Sequence, residues 1–449
     1  MAEARITAVH LTAFKSFVNE VLPLSDLTIL TGLNSSGKSN ALDGLDVLSR
    51  LATGGDLADV LDGRGQYGPG EVRGGSAGCP PHGTDTFELG CTVELGDEVF
   101  EYSVTVRVAP DLRIEREQLQ GPARAEKSKK IRRRDLITAT GEENAPGLDV
   151  RIHNGRRGVN PATFVRDNRS VLAQAPILVR TSSIAGREVL HGVDVVQSAL
   201  QAVFEFDPVP IAMRDYVRRS DAALKRDGSN LSAAILNLQH TQPARAQKVV
   251  EAISTIAANQ VTGVQFETTT RDEVMLSLTE HDGSRTSARE MSDGLLRFAA
   301  VATALQSTAQ DLDVDADDDA VPLTPDSEPV TGKVRVVLEE IENGLHPSQA
   351  RVALRMIEDA VTSSGLQVTV TTHSPALLNA LTGELNDKVV VCYRDEEGHS
   401  RLSPLVELSG YAQAMAHGEI GDLVTRSELV APTPERSVDL DAFLSAIGG

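Results

Sequence analysis

The sequence predicts an α/β fold built on a mostly parallel sheet, with an antiparallel β layer joined to it. Three observations carry this expectation. Apolar runs at 27–31 (LTILT), 334–338 (VRVVL), 366–372 (LQVTVTT) and 388–393 (KVVVCY) have the composition of strands buried on both faces. Helical patterns follow the first two: one puts Ala41, Leu42, Leu45, Leu48 and Leu51 on one face, and the other is HPSQARVALRMIEDAV. From 87 to 119 the period changes to two. Phe100, Tyr102, Val104, Val106 and Val108 share a face and Gly96-Asp97 marks a turn, which reads as an antiparallel meander.

The remaining elements follow in order. Residues 5–11 alternate as a strand, 53–85 are Gly- and Pro-rich and read as an irregular loop, and 124–134 form a basic run. Residues 185–260 are mostly helical in pattern, broken at Asp227-Gly228 and Gln242-Pro243. Alternation returns at 274–278, and 295–306 is helical again. The acidic stretch 311–319 reads as a surface insertion. The expected division is an N-terminal lobe over 1–160, a mainly helical inserted subdomain over 161–284 and a C-terminal lobe over 285–449. There is no internal repeat and no sustained heptad, so long coiled-coil arms are not expected.

Composition narrows the function classes. With 43 Lys and Arg against 64 Asp and Glu, the net charge is −21. That opposes whole-surface attachment to nucleic acid or anionic membrane and leaves room only for a local basic patch. Cys79, Cys91 and Cys392 show no CxxC spacing, which argues against a disulfide framework or zinc site and fits a reducing cytoplasm. No segment reads as a signal peptide, and no run reaches the ~20 apolar residues a spanning helix needs, so no membrane partner is expected.

Four motifs carry chemistry. Gly32-Leu33-Asn34-Ser35-Ser36-Gly37-Lys38-Ser39 matches GxxxxGK[ST] between a predicted strand and a predicted helix. Its glycines let backbone N–H groups curl around phosphate oxygens, and the helix points its positive end at the same anion. Lys38 would reach the β- and γ-phosphates of ATP, and the Ser39 hydroxyl would ligate Mg²⁺. Asn34, Ser35, Ser36, Gly37, Lys38, Ser39 and Asn40 are the expected ATP-binding residues. VRVVL runs into Glu339-Glu340, where the first acid would hold Mg²⁺ and the second would polarise the attacking water. Glu342 is a third acid close by. Ser292-Asp293-Gly294 precedes a helix, which makes either a second anion-binding device or a plain N-cap. His373 ends the strand LQVTVTT, at the sheet edge where ligands bind, although a lone His is more often structural.

In fixed order along the chain, Phe14-Lys15-Ser16-Phe17, GLNSSGKSN, MSDGLLR, LEEIENGLHP and TTHSPALLN resemble the ABC-class ATPases of the RecF, SMC and OLD group. They are most similar to the head-only predicted AAA-type ATPases of bacteria and archaea. The resemblance is strong over 1–60 and 285–425 and weaker between, where Asp227-Gly228-Ser229-Asn230-Leu231 is a family-like piece. It implies a P-loop NTPase fold of ABC type, ATP and Mg²⁺ as ligands, and hydrolysis at composite sites of an ATP-driven homodimer. Glu340 would be the catalytic glutamate and His373 the switch histidine. Ser292, Asp293 and Gly294 would be the signature acting on the partner subunit's ATP, and Leu345-His346-Pro347 would lie at the dimer interface. Ser39 and Glu339 would be the metal residues. Phe14, Lys15 and Phe17 would lie near the adenine or its phosphates, and Gln66 is a candidate Q-loop residue. Two residues depart from the pattern: Glu339 replaces the commoner Asp and Ile341 stands where many relatives have Pro.

Two roles follow from the chemistry. Closure on ATP could license an effector in a nucleic-acid-linked motor or sensor, in DNA repair or phage defence, with DNA held through Lys127, Lys129, Lys130, Arg132, Arg133 and Arg134. Alternatively, the protein is an ATP-dependent switch for a protein partner with no DNA role.

Overall fold

In the computed structural model the described residues are 3–64, 70–124, 130–142, 145–156, 158–258, 260–314, 323–324, 328–343, 346, 349–409, 411 and 421. The first part of the chain gives β1 (Arg5–Phe14), β2 (Phe17–Pro23), β3 (Leu27–Thr31), α1 (Lys38–Ala52) and α2 (Leu57–Asp62). An antiparallel series follows: β4 (Thr86–Leu95), β5 (Glu98–Arg107), β6 (Arg113–Arg124), β7 (Ile131–Gly141), β8 (Leu148–Ile152) and β9 (Ala162–Val165). Next come α3 (Val171–Leu178), α4 (Ile184–Gln201), β10 (Val203–Phe206), β11 (Val217–Arg218), α5 (Leu231–Thr241) and α6 (Pro243–Ile256). They lead into β12 (Val261–Thr268), β13 (Glu273–Glu280), β14 (Arg285–Ser287) and α7 (Asp293–Gln306). The C-terminal part holds β15 (Arg335–Leu338), α8 (Ala350–Ser363), β16 (Gln367–Thr372), α9 (Pro375–Asn379), β17 (Val389–Arg394) and β18 (Ser400–Pro404).

One 14-stranded sheet runs through the molecule in the order β10-β15-β16-β3-β17-β18-β2-β1-β4-β5-β6-β7-β8-β9. The first five strands are parallel, and β3, β15 and β16 are buried at every position, as their Val-, Ile-, Leu- and Thr-rich composition fits. From β1 to β9 every pairing is antiparallel. The two halves join where β18 meets β2 at the pair Ser400↔Phe17. A separate sheet pairs β13 with β11, β12 and β14.

Two apolar cores follow from this arrangement. One packs α1, α3 and α4 on the antiparallel strands; the other packs α5, α6, α7 and α8 around the parallel strands. α1 is buried at nearly every position and sits between the halves. The first turn of α3 is capped from a distance. Fully buried Glu117 accepts the Val171 and Leu172 N–H groups at 2.7 Å each, and the Ser170 and Tyr102 hydroxyls as well. No helix among the described residues is long and apolar enough to cross a membrane.

The structure corrects several local expectations. Within the stretch read as helical, Val203–Phe206 is a strand, and it forms the edge of the parallel sheet beside β15. Its four residues give too short an alternation to stand out against the preceding helix. The described part of the loop expected over 53–85 contains α2 and a 3-10 turn at Ser76–Gly78. Part of the basic run is the start of β7. Most of the acidic stretch 311–319 lies outside the described residues.

Candidate active site

The C-terminal ends of the parallel strands converge on one edge. β16 lies between β3 and β15, so the strand ending before His373 separates the phosphate loop from the paired acids. The loop 32–37 leaves β3 and turns into α1 at Gly37, whose φ of 119° is open to glycine. Space makes the same demand. A Cβ on Gly37 would lie 2.2 Å from Ser400 Oγ, and one on Gly32 2.1 Å from the Cys392 carbonyl.

A clamp that the motifs did not announce holds the loop from behind. Ser36 O accepts from Ser400 Oγ at 2.5 Å and from Cys392 Sγ at 3.3 Å, and Ser35 O accepts from Arg394 Nε at 3.1 Å. Ser16 Oγ bridges Ser400 Oγ and Asn40 Nδ2. Cys392, Arg394 and Ser400 come from β17 and β18, hundreds of positions away in the chain, and no local signal marks them; Ser16 comes from the β1–β2 turn, 24 positions before Asn40. Asn40 thus faces the clamp. Lys38 is buried and donates to the Gly32 and Leu33 carbonyls at 2.8 and 3.0 Å. Burial pulls its ammonium below the usual range, against the opposing pull of Glu340, Glu342 and Glu339 among others.

Ser39 Oγ donates to Glu339 Oε2 at 2.9 Å, across a separation of 300 residues. The longer side chain of Glu therefore reaches the loop hydroxyl directly. A hydroxyl and a carboxylate oxygen side by side fit a hard, oxygen-seeking cation such as Mg²⁺. The other Glu339 oxygen is bound by Arg73, at 2.5 Å from Nη2. Arg73 also lies 3.5 Å from Asp43, which pairs with Lys15 at 2.6 Å. Asp46 pairs with Arg50 at 2.8 Å. Glu205 on β10 completes this acidic group. Burial first, then Asp46, Glu339 and Asp43, push its carboxyl up to about 9.

Glu340 has φ +48°, an uncommon and strained conformation for a non-glycine residue. Its N–H is held by Thr371 Oγ1 at 2.9 Å and its Oε2 by Asn343 Nδ2 at 2.7 Å. His373 Nδ1 lies 3.9 Å from Glu340 and 3.0 Å from Glu342, and the His373 N–H donates to the same Glu342 oxygen at 2.6 Å. The nearer partner of His373 is thus Glu342.

Ser292 caps α7 by accepting the Leu295 N–H at 3.3 Å. Asp293 is exposed and pairs with Arg214 at 2.7 Å, which also donates to Met291 O. Among the described residues, Ser292, Asp293 and Gly294 make no hydrogen bond or ion pair with residues 32–39 of their own chain. One turn along α7, Arg297 lines a cavity with Phe206, Leu338, Glu339, Glu340 and Asn343.

Other expected residues lie elsewhere. Phe14 and Phe17 are fully buried, and Phe14 packs edge-on against Phe87 at 5.8 Å, so neither offers a ring to an adenine. Gln66, Leu345, Pro347, Lys127 and Lys129 lie outside the described residues. Strand alternation splits the arginines of β7. Arg132 and Arg134 stand opposite Ala123 and Gly121, on the face toward the core, and Arg133 opposite Pro122 on the other. Arg133 is already paired with Glu101 and Gln120.

Among solved structures, the chain is similar to the SMC head domain from Thermotoga maritima, with 14% identity, 89% of this chain and 98% of that chain covered, and a TM-score of 0.38. It is also similar to an Smc head bound to the C-winged helix domain of ScpA (14%, 89% and 97%, 0.42). A third is the Smc head with an extended coiled coil, bound to the C-terminal domain of ScpA, from Pyrococcus furiosus (13%, 89% and 96%, 0.41). No curated protein matches the sequence. The family model described as "AAA domain, putative AbiEii toxin, Type IV TA system" matches residues 27–379, from β3 through α9, and the chain belongs to this family of P-loop ATPase domains.

Proposed function

We propose that the protein hydrolyses Mg²⁺-bound ATP at sites shared between two copies of the chain, and that closure of this homodimer controls an effector in the cytoplasm. The observation that carries the reading is the Ser39–Glu339 contact, which brings the phosphate loop and the acid pair together with Glu340 and His373 alongside. Residues 34–40 would cradle the phosphates, with Lys38 exchanging its two loop carbonyls for phosphate oxygens. Mg²⁺, held by Ser39 and Glu339, would neutralise charge on the β- and γ-phosphates. Glu340 would orient the attacking water and accept its proton, and Asn343 and Thr371 fix its position. His373, oriented by Glu342, would donate to the γ-phosphate or to that water. Among the described residues, Ser292, Asp293 and Gly294 at the α7 N-terminus make no hydrogen bond or ion pair with their own phosphate loop, which supports a role on the partner's ATP.

For the output we keep the nucleic-acid-linked reading, in DNA repair or phage defence, through Lys130, Arg132, Arg134 and the rest of the 127–134 run. The toxin–antitoxin system in the family's description supports control of an effector. One observation favours the second reading, a switch for a protein partner without DNA: Arg133 is already neutralised by Glu101. The deciding experiment uses Glu340→Gln with ATP and Mg²⁺. Light scattering should show dimers that accumulate without turnover, and duplex DNA should raise wild-type turnover. Monomers at saturating ATP would contradict the shared site, and turnover indifferent to DNA would move the protein-partner reading ahead.

A further inference from the structure

Among the described residues, Arg73 is the arginine that pairs with Glu339, and none of the motifs contains it. Its guanidinium spans Glu339, with Nη2 at 2.5 Å from Oε1 and Nη1 at 3.5 Å from Oε2. Oε2 is also the oxygen that accepts the Ser39 hydroxyl. The arginine therefore sits on the carboxylate that a cation shared by Ser39 and Glu339 would need.

The backbone around it is pinned. Val72 is buried and its N–H donates to Leu61 O at 2.9 Å, Ser76 N–H donates to Asp62 at 2.7 Å, and Lys15 Nζ donates to Arg73 O at 2.8 Å. The side chain is not pinned in the same way, since it is 52% exposed. It lines an open cleft with Lys15, Ser16, Asn40, Arg394 and His399, beside the phosphate loop. Asp43, at 3.5 Å, offers it a second carboxylate. The guanidinium can leave Glu339 without moving the chain.

We propose that Arg73 is a removable stand-in for the metal. In the nucleotide-free protein it neutralises Glu339, and it must swing off before Ser39 and Glu339 can share a divalent cation. A guanidinium and a divalent ion on one carboxylate repel each other at contact distance, so their occupancies exclude one another. The guanidinium then offsets part of the negative charge of the group Glu339, Asp43, Asp46 and Glu205, and the ion enters only when phosphates bring further negative charge. The inference rests on the reading of Ser39 and Glu339 as the metal residues.

The test measures Mn²⁺ binding to the nucleotide-free full chain by electron paramagnetic resonance. Arg73→Ala should raise Mn²⁺ affinity by roughly tenfold or more, because a like charge has been removed from the site. Arg73→Lys keeps the charge but loses the fork and should raise it less. Adding Glu339→Gln to Arg73→Ala should abolish the gain. Equal affinity in wild type and Arg73→Ala overturns the proposal, and so does a gain that survives Glu339→Gln. If Arg73→Ala does not fold, Arg73→Lys carries the test, and an affinity equal to wild type overturns the proposal. Calorimetry with ATP on the same wild-type sample separates the two ideas. Absence of ATP binding sinks the nucleotide-site reading, while the Mn²⁺ series still decides the role of Arg73.

Discussion

The two ends of β15 carry charges of opposite kind, only four positions apart. At its start, Arg335 is fully buried, makes no hydrogen bond to an acid among the described residues, and donates to the Ser25 and Ile6 carbonyls and the Thr369 hydroxyl. Burial pushes its guanidinium down to about 9. At the far end, Glu339 and Glu340 are partly exposed and held by partners that can let go: Ser39, Arg73, Asn343 and a distant His373. The same strand thus has a fixed end and an exchangeable end. On this strand the fully buried charge, held by two carbonyls and a hydroxyl, belongs to the fold, and the part-exposed acids held by side chains are available for chemistry.

That contrast can be broken by mutation. Glu340→Gln should lower ATP turnover by about 10³-fold, the order expected for a general base, with the melting temperature nearly unchanged; steady-state kinetics and calorimetric melting check both. Arg335→Met should do the reverse. Stability should fall by about 3 kcal/mol, because three acceptors lose their buried donor, while nucleotide affinity stays within error; urea titration reads the loss. Lys38→Ala should weaken ATP binding about 100-fold by calorimetry without destabilising the fold, since its present partners are only loop carbonyls. The smallest effect concerns Glu205. Its carboxyl is raised from 4.5 to about 9, so between those values the folded chain holds a proton that the unfolded chain has lost. Its contribution to stability is therefore full below the lower value and is lost as pH rises through the upper one. Glu205→Gln should stabilise by about 1–3 kcal/mol at pH 8 and by less at pH 5.5, measured as the shift in urea midpoint at each pH.

The exchangeable end was largely legible in the sequence and its supports were not. Gly32 to Ser39 and the pair Glu339-Glu340 are each contiguous, and each follows a mostly apolar run, so strand ends and polar residues could be read together. The structure brings them within hydrogen-bonding distance, as strand order β15-β16-β3 requires. Arg73 stands alone among glycines, and its contact with Glu339 depends on how a Gly-rich segment packs across the sheet. The Ser400, Cys392 and Arg394 clamp comes from two strands whose own patterns are only apolar or polar. β10 was hidden by its length. At the β1–β2 turn the resemblance put Phe14 and Phe17 near the adenine or its phosphates, yet both are buried in the core. The basic run read as one patch in sequence, but a strand of period two divides its arginines between two faces.

The measurement that bears most directly on the proposed two-copy site mixes two chains expected to be inactive. Lys38→Ala removes the phosphate-loop ammonium and Ser292→Arg blocks the signature, so each homodimer should be inert. A mixed dimer pairs the intact phosphate loop of the Ser292→Arg chain with the intact signature of the Lys38→Ala chain. If the site is built from two copies, mixing restores ATP turnover that neither variant shows alone. If the mixture stays as inactive as its components, while each variant remains folded and able to dimerise, the two halves do not meet across an interface and the account is wrong.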